Sequence, residues 1–381
     1  MKTIIKNCYL ISPDVEIENA AVLIDGKFIA GVYADGEILP AVDNIIDAKG
    51  QMVVPGFIDV HCHGRSGFDF TDGRQDAMDA IGIDKLKEGV TTLLPTTLTL
   101  PEEQLIPAMK TAAEYVKRGV KGARIAGVHL EGPFINSKCC GAQNPEFVRK
   151  PDIDEVKRLD AISKVAKVSY AIEAAGGIAF ARELLAAGIT PSCVHSSASY
   201  SDFKKANVLG LKNLSHFCNQ MTPLHHRDIG LVGAGLLHDE VFVELICDKV
   251  HISPDMIKLI FKIKGPGKVL LITDAMSAAG LNDGDYNLGG LPVVVKDGAA
   301  RLASNGALAG STLLYYQGLK NIREITGLPL KELIKTTSWN QAQSLGLNKL
   351  GKIEPGFYAD ILILKADFSP DKVFIDGEER I

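Results

Sequence analysis

The chain has 381 residues, of which 46% are hydrophobic and 23% are charged, so it can bury a large core and hold more than one domain. The formal net charge of −5 and the lack of a basic tract argue against a nucleic-acid partner. No apolar run approaches the ~20 residues of a membrane span, and the N-terminus has no apolar secretory core. We therefore expect a cytoplasmic protein without a membrane partner, and the seven cysteines, none in a C-x-x-C spacing, agree with a reducing compartment.

Both ends of the chain predict short strands. The strand-like runs are 21–24, 28–32, 44–47, 356–364 and 372–377. The N-terminal runs alone are too short for a core of their own. Because chain termini often lie close together, we predict one small β-sandwich domain built from residues 1–55 and 351–381.

The middle of the chain, residues 56–350, alternates apolar strand-like runs with helical stretches. The eight strand-like runs are 53–60, 89–95, the run 124–128 that leads to Glu131, 167–172, 189–194, 211–215, 241–246 and 268–273. The helical stretches are 75–87, 101–118, 152–163, 177–187 and 253–263. This pattern predicts an α/β fold, a (β/α)8 TIM-like barrel, with an inserted hairpin at 291–302. A doubly wound sheet, the competing fold, usually has a glycine-rich phosphate turn after its first strand, and this chain has none there.

Side chains that can bind a metal follow five of these runs. They are His61 and His63 after the first run, Glu131 after the third, His195 after the fifth, His216 after the sixth and Asp274 after the eighth. The carboxyl ends of barrel strands face one rim, where such enzymes build their sites. A buried carboxylate such as Glu131 is costly to desolvate without a compensating cation. The sequence therefore predicts a metal site.

The number of metal ions stays open at this point. Six candidate ligands exceed the three protein ligands that one catalytic zinc usually takes. Either two metals share Glu131 as a bridge, or one metal binds Glu131, His195 and His216 while the other three residues support it. Imidazole and carboxylate ligands suit Zn²⁺, Fe²⁺, Co²⁺ or Mn²⁺, so the ligand types do not choose the metal.

The strand-end residues resemble those of the amidohydrolase superfamily. Within it, the segment His129-Leu130-Glu131-Gly132-Pro133-Phe134 resembles the family of N-acetylglucosamine-6-phosphate deacetylases. Further matching segments are 55–59, 221–227, 272–276, 308–311 and 355–360. Many other amidohydrolases carry a carboxylated lysine at the end of strand four. Here that strand ends in Tyr170-Ala171-Ile172-Glu173, without a lysine. The deacetylases use a glutamate of strand three in place of that lysine.

The resemblance implies an activity and a set of residue roles. The activity is hydrolysis of N-acetyl-D-glucosamine 6-phosphate to D-glucosamine 6-phosphate and acetate. The cofactor would be one or two divalent transition metals per subunit, with Zn²⁺ or Fe²⁺ expected before Co²⁺ or Mn²⁺. Glu131, His195 and His216 would hold the principal metal, His61 and His63 a second one, and Asp274 would be the general base and acid. The substrate-binding residues would be Ala142, Gln143, Asn219, Gln220, Arg227, His251, Ala307, Leu308 and Ala309. The resemblance also implies a homodimer in which Arg227 reads the sugar phosphate.

The chain departs from the family pattern at two places in the substrate region. Gln143 stands where the family usually has a histidine, and Gln220 stands where it usually has an alanine. Two other functions are therefore kept open. The chain could be an amidohydrolase for a different N-acetylated or cyclic amide, or a scaffold without catalysis, although scaffolds typically lose metal ligands and this chain keeps all six candidates.

Overall fold

The computed structural model describes residues 1–381. Its strands are β1 (Lys2–Ser12), β2 (Val15–Asp25), β3 (Phe28–Tyr33), β4 (Asn44–Asp47), β5 (Met52–Pro55), β6 (Phe57–Cys62), β7 (Gly64–Arg65), β8 (Phe68–Asp69), β9 (Val90–Pro95), β10 (Arg124–Ile125), β11 (Val128–Glu131), β12 (Val165–Tyr170), β13 (Thr190–Cys193), β14 (Asn213–Leu214), β15 (Phe242–Ile246), β16 (Val269–Ile272), β17 (Gly284–Leu288), β18 (Leu291–Lys296), β19 (Ala299–Leu302), β20 (Ile361–Leu364), β21 (Pro370–Ile375) and β22 (Glu378–Glu379). Its α-helices are α1 (Gln75–Leu86), α2 (Glu102–Arg118), α3 (Ile153–Asp160), α4 (Gly177–Ala186), α5 (Tyr200–Val208), α6 (Gly230–Leu237), α7 (Pro254–Lys264), α8 (Tyr315–Thr326), α9 (Leu330–Leu333) and α10 (Trp339–Leu345). None of these helices has the length and apolar composition needed to span a membrane.

A sheet of eight strands combines both ends of the chain. Its order is β22-β21-β20-β5-β1-β2-β3, and β4 pairs with β1. β1 runs antiparallel to β2 and parallel to β4 and β5, whereas β5 runs antiparallel to β20. Buried side chains of this sheet, among them Ile5, Val22, Ile363 and Phe374, form a hydrophobic cluster of their own. The N-terminal strands thus pair with C-terminal strands and share a core with them.

The central strand of this sheet, β1, is one that the sequence pattern does not predict. Its pairing with β2 shifts register between Ile5 and Cys8, and Asn7 has a positive φ of 55°. Such a bulge adds one residue to the strand and breaks the alternation of side chains by which a strand is recognised in a sequence.

The middle of the chain is an α/β fold with parallel strands. One sheet has the order β10-β9-β6 and a second has the order β11-β12-β13-β14-β15-β16, and all neighbouring pairs are parallel. Single parallel bridges join the two sheets, from Thr96 to His129 on one side and from Cys62 to Ala275 on the other. Helices α1 to α7 alternate with these strands along the chain. Parallel pairing brings the carboxyl ends of the strands to one edge, where the candidate site residues follow them.

Two predicted strands are wrong in their extent. The run 53–60 divides into β5, in the sheet of the chain ends, and β6, in the parallel sheet. Gly56 separates them at a close approach, because a Cβ atom there would lie 2.2 Å from Thr91 Oγ1. The run that leads to Glu131 divides into β10 and β11 near Gly127, whose φ is 144°. In both cases a glycine inside an apolar run marks a change of strand.

The five predicted helices are confirmed within a few residues as α1, α2, α3, α4 and α7. The predicted hairpin is confirmed as β18 and β19, and β17 adds a third antiparallel strand to it. Helix α6 is not predicted, because every residue from Gly230 to Leu236 is buried and the sequence has no polar face. Strong burial thus removes the periodic signal on which the prediction of a helix depends.

A buried tyrosine ties the first and last strands of the parallel region together. The Tyr315 hydroxyl, at the start of α8, lies 3.0 Å from the carbonyl oxygen of Ile58 in β6 and 2.9 Å from that of Leu271 in β16. The Gln341 amide donates to the same hydroxyl oxygen at 3.2 Å. Tyr315 is fully buried, so no water replaces these hydrogen bonds if the hydroxyl is removed.

We predict that Tyr315→Phe destabilises the protein by about 1–3 kcal/mol, because it leaves buried polar groups without a partner. The matched control is Tyr316→Phe, since Tyr316 is only partly buried and its hydroxyl makes no hydrogen bond. Urea unfolding followed by circular dichroism measures both variants. Equal stability of the two variants would contradict the role given to the Tyr315 hydroxyl.

Candidate active site

Three candidate residues share one backbone position and one unusual conformation. His195, His216 and Asp274 each lie two residues beyond the end of a strand, namely β13, β14 and β16. Their φ angles are 43°, 29° and 50°, in the left-handed region that costs a residue with a side chain about 1–2 kcal/mol. Such a conformation persists where the surroundings enforce it, and it is concentrated at functional sites. For Asp274, its backbone N–H donates to His61 O at 2.8 Å and its carbonyl accepts from Ser311 N at 2.7 Å.

Glu131, His195 and His216 form the first group whose ligand atoms converge. The Glu131 Oε1 atom lies 3.1 Å from His216 Nε2 and 3.6 Å from His195 Nε2. The two Nε2 atoms of the histidines lie 3.2 Å apart. All three ligand atoms lie within 4.8 Å of one another, and all three residues are buried.

His61, His63 and Asp274 form the second group. Asp274 Oδ1 lies 3.5 Å from His61 Nε2 and 3.2 Å from His63 Nε2. Glu131 also reaches this group, because its Oε1 lies 3.3 Å from His61 Nε2 and its Oε2 lies 3.2 Å from His63 Nε2. The structure therefore brings all six predicted residues together, with Glu131 between the two groups.

The charges of the site favour positive charge at its centre. Burial alone would raise the pKa of Glu131, but the charge of His61 and hydrogen bonds from the histidines hold it well below its usual value. Burial also opposes the ionisation of Asp274, yet His61 and His63 lower its pKa. Burial would lower the pKa of His61, but the charges of Glu131 and Asp274 raise it to about 9. Both carboxylates thus remain ionised in a buried place and attract cations.

The two groups fit a divalent metal. His195 Nδ1 hydrogen-bonds the Cys139 carbonyl oxygen at 2.7 Å, and His61 Nδ1 hydrogen-bonds Glu244 Oε2 at 3.1 Å. Because a carbonyl or carboxylate oxygen accepts, these contacts keep a proton on Nδ1, so the neutral ring, which is the form that binds a metal, has its Nε2 lone pair facing inward. His61 Nε2 has no hydrogen-bond partner although it is buried. Imidazole nitrogens and carboxylate oxygens with this convergence are the donor set of Zn²⁺, Fe²⁺, Co²⁺ or Mn²⁺ sites.

A cavity of about 350 Å³ opens over the two groups, within the usual size range of sites for small molecules. Seven of the nine predicted substrate-binding residues line it: Ala142, Gln143, Asn219, Gln220, His251, Ala307 and Leu308. Ala309 is fully buried and does not line it. Arg301, which the sequence analysis does not select, lies in β19 and lines the cavity wall. An arginine in an antiparallel strand of alternating burial gives no sequence signal that separates it from a solvated residue.

Gln143 contacts a metal-candidate residue directly. Its side-chain Oε1 accepts from the backbone N–H of Thr99 at 2.7 Å, which fixes the orientation of the amide. Its Nε2 then donates to Glu131 Oε2 at 2.6 Å. At this departure from the family pattern, the glutamine therefore holds one carboxylate oxygen of Glu131.

Arg227 does not line the cavity of its own chain. It is exposed, in the loop between β14 and α6, and its Nη1 lies 2.9 Å from His226 Nε2. His225 and His226 are exposed in the same loop. His129, by contrast, is buried, with Nε2 at 2.7 Å from Ser169 Oγ and its ring at 4.6 Å from that of His61. His129 thus packs against a candidate ligand, whereas Arg227 stands apart from the groups.

Comparison with known proteins identifies the family of the chain. Residues 52–380 match the model of the amidohydrolase family. The chain belongs to the amidohydrolase family. The resemblance predicted from the strand-end residues is thereby confirmed.

Curated relatives of this amidohydrolase are sugar-phosphate deacetylases. An N-acetylglucosamine-6-phosphate deacetylase of Lysinibacillus sphaericus is 36% identical, and the alignment covers 87% of each chain. An N-acetylgalactosamine-6-phosphate deacetylase of Escherichia coli O157:H7 is also 36% identical, over 91% of this chain and 92% of that one.

Solved structures agree. The crystal structure of N-acetylglucosamine-6-phosphate deacetylase from Thermotoga maritima matches with a TM-score of 0.90 and 36% identity, covering 99% of both chains. A mutant of the Mycobacterium smegmatis enzyme in complex with N-acetyl-D-glucosamine-6-phosphate matches with a TM-score of 0.93 and 30% identity, covering 100% of this chain and 99% of that one. The fold is therefore shared along the whole length of the amidohydrolase.

We predict that the purified amidohydrolase carries between one and two equivalents of a divalent transition metal. His195→Ala or His216→Ala should remove the principal ion, whereas His61→Ala should remove at most a second ion, because only the first two belong to the Glu131–His195–His216 group. Elemental analysis after dialysis measures the metal content, and His238→Ala, which lies outside both groups, is the control. Full activity in metal-free protein would contradict a metal-dependent mechanism.

Proposed function

We propose that the protein removes the N-acetyl group from N-acetyl-D-glucosamine 6-phosphate, giving D-glucosamine 6-phosphate and acetate in amino-sugar catabolism. The observation that carries the proposal is the pair of ligand groups that share Glu131 at the floor of a cavity. It is supported by relatives that are named deacetylases and are 36% identical along most of the chain. A cyclic amide substrate is not favoured, since these relatives act on N-acetylated sugar phosphates.

The proposed roles follow from what each side chain can do. Glu131, His195 and His216 would hold a principal divalent metal, and His61 and His63 would hold a second one. When bound, the metal supplies Lewis-acid chemistry that activates water and polarises a carbonyl group. Asp274 is ionised and partly open to the cavity, so it can accept the proton of the attacking water. It then returns that proton to the departing nitrogen, because an amide nitrogen cannot leave as an anion.

The cavity supports binding of a polar sugar. Asn219, Gln220 and His251 line it and carry hydrogen-bonding groups suited to hydroxyls. His251 Nδ1 hydrogen-bonds Asp248 Oδ2 at 2.7 Å, which leaves Nε2 free for a ligand. Ala307 and Leu308 line the same cavity. We propose that these residues bind the sugar and that Arg227 binds the phosphate from the neighbouring subunit of a homodimer.

The finer architecture is part of the same proposal. The two parallel sheets and their bridging residues support one closed (β/α)8 barrel as the catalytic domain, residues 56–350. The mixed sheet of the chain ends supports a small β domain made of residues 1–55 and 351–381. A reducing cytoplasm suits a chain whose seven cysteines are all free thiols.

Acetate release from a panel of N-acetylated sugars tests the function. The panel contains N-acetylglucosamine and N-acetylgalactosamine, each with and without the 6-phosphate, and dihydroorotate as a cyclic amide. We expect the highest kcat/KM on N-acetylglucosamine 6-phosphate. The galactosamine compound is the second candidate, because a 36% identical relative is a deacetylase of that sugar. Ring opening of the cyclic amide without acetate release would overturn the proposal.

We predict that Asp274→Asn lowers turnover by about 10²–10⁴-fold, because the amide keeps the shape of the side chain but cannot accept a proton. Substrate should still bind, which isothermal titration with the phosphorylated sugar measures. The control is Asp285→Asn, which removes an exposed carboxylate of β17 that is outside both ligand groups. Near-normal turnover of Asp274→Asn would mean that another group is the base.

We predict that Arg227→Ala lowers kcat/KM on the phosphorylated sugar by about 10–150-fold, the equivalent of a lost charged hydrogen bond of about 1.5–3 kcal/mol. The unphosphorylated sugar should be almost unaffected. Arg182→Ala, which removes an exposed arginine of α4, is the matched control. Arg301→Ala could instead lower kcat/KM on the phosphorylated sugar alone while Arg227→Ala does not. In that case the phosphate binds within one subunit, and the proposal that Arg227 of a neighbouring subunit binds it is wrong.

A further inference from the structure

A buried ion pair stands behind His61, on the side away from the cavity. Glu244 Oε2 lies 3.1 Å from His61 Nδ1, and Glu244 Oε1 forms a salt bridge with Lys167 Nζ. The side chains of Glu244 and Lys167 are 3% and 2% exposed. They come from β15 and β12, which are not neighbours in the sheet, so both side chains point to its inner side. In the sequence both residues are charges inside otherwise apolar runs.

Stability does not account for this pair. Removing two charges from water costs several kcal/mol per ion, and replacing a buried pair by apolar residues of similar volume is often neutral or stabilising. On the face of β15 that carries Glu244, the neighbouring side chains Phe242 and Ile246 are apolar and buried. A charge pair at this position therefore points to a task beyond packing.

The contact with His61 suggests the task. A histidine that binds a metal usually donates its other ring N–H to a carboxylate or a carbonyl, which fixes the tautomer and makes the ligand nitrogen more basic. Among the four histidines of the two groups, only His61 has a carboxylate on Nδ1. His195 uses the Cys139 carbonyl instead, and the Nδ1 atoms of His63 and His216 are buried without a partner.

The ring of His61 is held on its other sides as well. His129 packs its edge against it at 4.6 Å between ring centres, with an angle of 86°. The Nε2 atom faces Glu131 and Asp274 at 3.3 and 3.5 Å. Lys167 can only donate hydrogen bonds, and Glu244 can only accept them when ionised. The hydrogen bonds thus run in one direction, from Lys167 to Glu244 and from His61 Nδ1 to Glu244, and they leave the lone pair of the neutral His61 ring on Nε2.

We propose that Glu244, with its charge balanced by Lys167, is a positioning residue that sets the tautomer of His61 for a second metal ion. The inference rests on the metal centre of the proposed function and adds to it the reason why the second site can form. It makes the His61–His63–Asp274 group dependent on two residues that do not line the cavity. The Glu131–His195–His216 group should be independent of them.

The test uses an amide replacement whose orientation is predictable. In Glu244→Gln, the amide oxygen should turn to Lys167, because Lys167 only donates. The amide NH₂ then faces His61 Nδ1 and donates to it, so the ring proton moves to Nε2 and blocks the metal position. In the double variant Lys167→Met/Glu244→Gln, the amide oxygen is free to turn toward His61 and to accept its Nδ1–H again.

Metal binding is the readout, independent of catalysis. Metal-free protein is titrated with Co²⁺ and followed by its absorption bands, and bound Zn²⁺ is counted by elemental analysis. We expect two sites in the unchanged protein. Glu244→Gln should weaken the second site by about 10–100-fold and leave the first unchanged, as for other partners of metal ligands. The double variant should recover most of that loss.

The control is Glu155→Gln, which removes a buried carboxylate that pairs with Arg149 and belongs to neither ligand group. It should bind both ions normally, and thermal unfolding of each metal-free variant checks that the fold persists. A single metal site in the unchanged protein, or normal binding of both ions by Glu244→Gln, would overturn the inference. So would an equal loss in the single and double variants. Failure of acetate release with this metal pattern intact would refute only the proposed function.

Discussion

The charge of Glu131 is the constraint on which the site depends. Glu131 as a residue is 1% exposed, and a lone buried carboxylate is among the most costly groups to bury in a protein interior. Four imidazole rings approach its two oxygens at 3.1–3.6 Å, and Gln143 donates to it as well. The four histidines lie at the ends of three different strands, β6, β13 and β14, so they meet Glu131 only if the parallel strands are in register. The negative charge of Glu131 is thus compensated only when the strands are correctly paired.

A second set of buried charges connects β6, which carries His61, to the residue that precedes Asp274. Asp59 Oδ2 accepts from Thr273 Oγ1 at 2.6 Å and pairs with Lys85 Nζ at 2.9 Å. Lys85 also pairs with Glu88 at 3.2 Å. Thr273 directly precedes Asp274, whose left-handed backbone needs a rigid neighbourhood. These charges join β6 and β16 to helix α1, whereas the Glu244–Lys167 pair contacts His61 directly, so buried charges support the site at two separate places.

The sequence predicts the candidate metal ligands better than it predicts the residues that orient them or line the cavity. A charged or imidazole side chain after an apolar run is visible in the sequence, and the parallel fold converts the strand ends into one edge. Glu244 and Lys167 are equally visible as charges inside strands, but the partner of each is 77 residues away, and no local pattern pairs them. Arg301 depends on how a hairpin folds over the cavity. The residue type at a strand end can be predicted from the sequence, whereas contacts between distant strands become known only from the structure.

Gln143 shows how a departure from a family pattern acquires a physical meaning. Thr99 N fixes the side-chain oxygen, so the amide nitrogen must face Glu131. That nitrogen carries two hydrogens, of which one is committed to the carboxylate and the other is available to the cavity that Gln143 lines. A sugar hydroxyl that accepts the second hydrogen would therefore be linked through one amide to Glu131. Since a glutamine cannot take up a proton as a histidine can, this link holds its geometry across the neutral pH range. Under the proposed function, a single side chain would thus couple recognition of the sugar to the placement of Glu131.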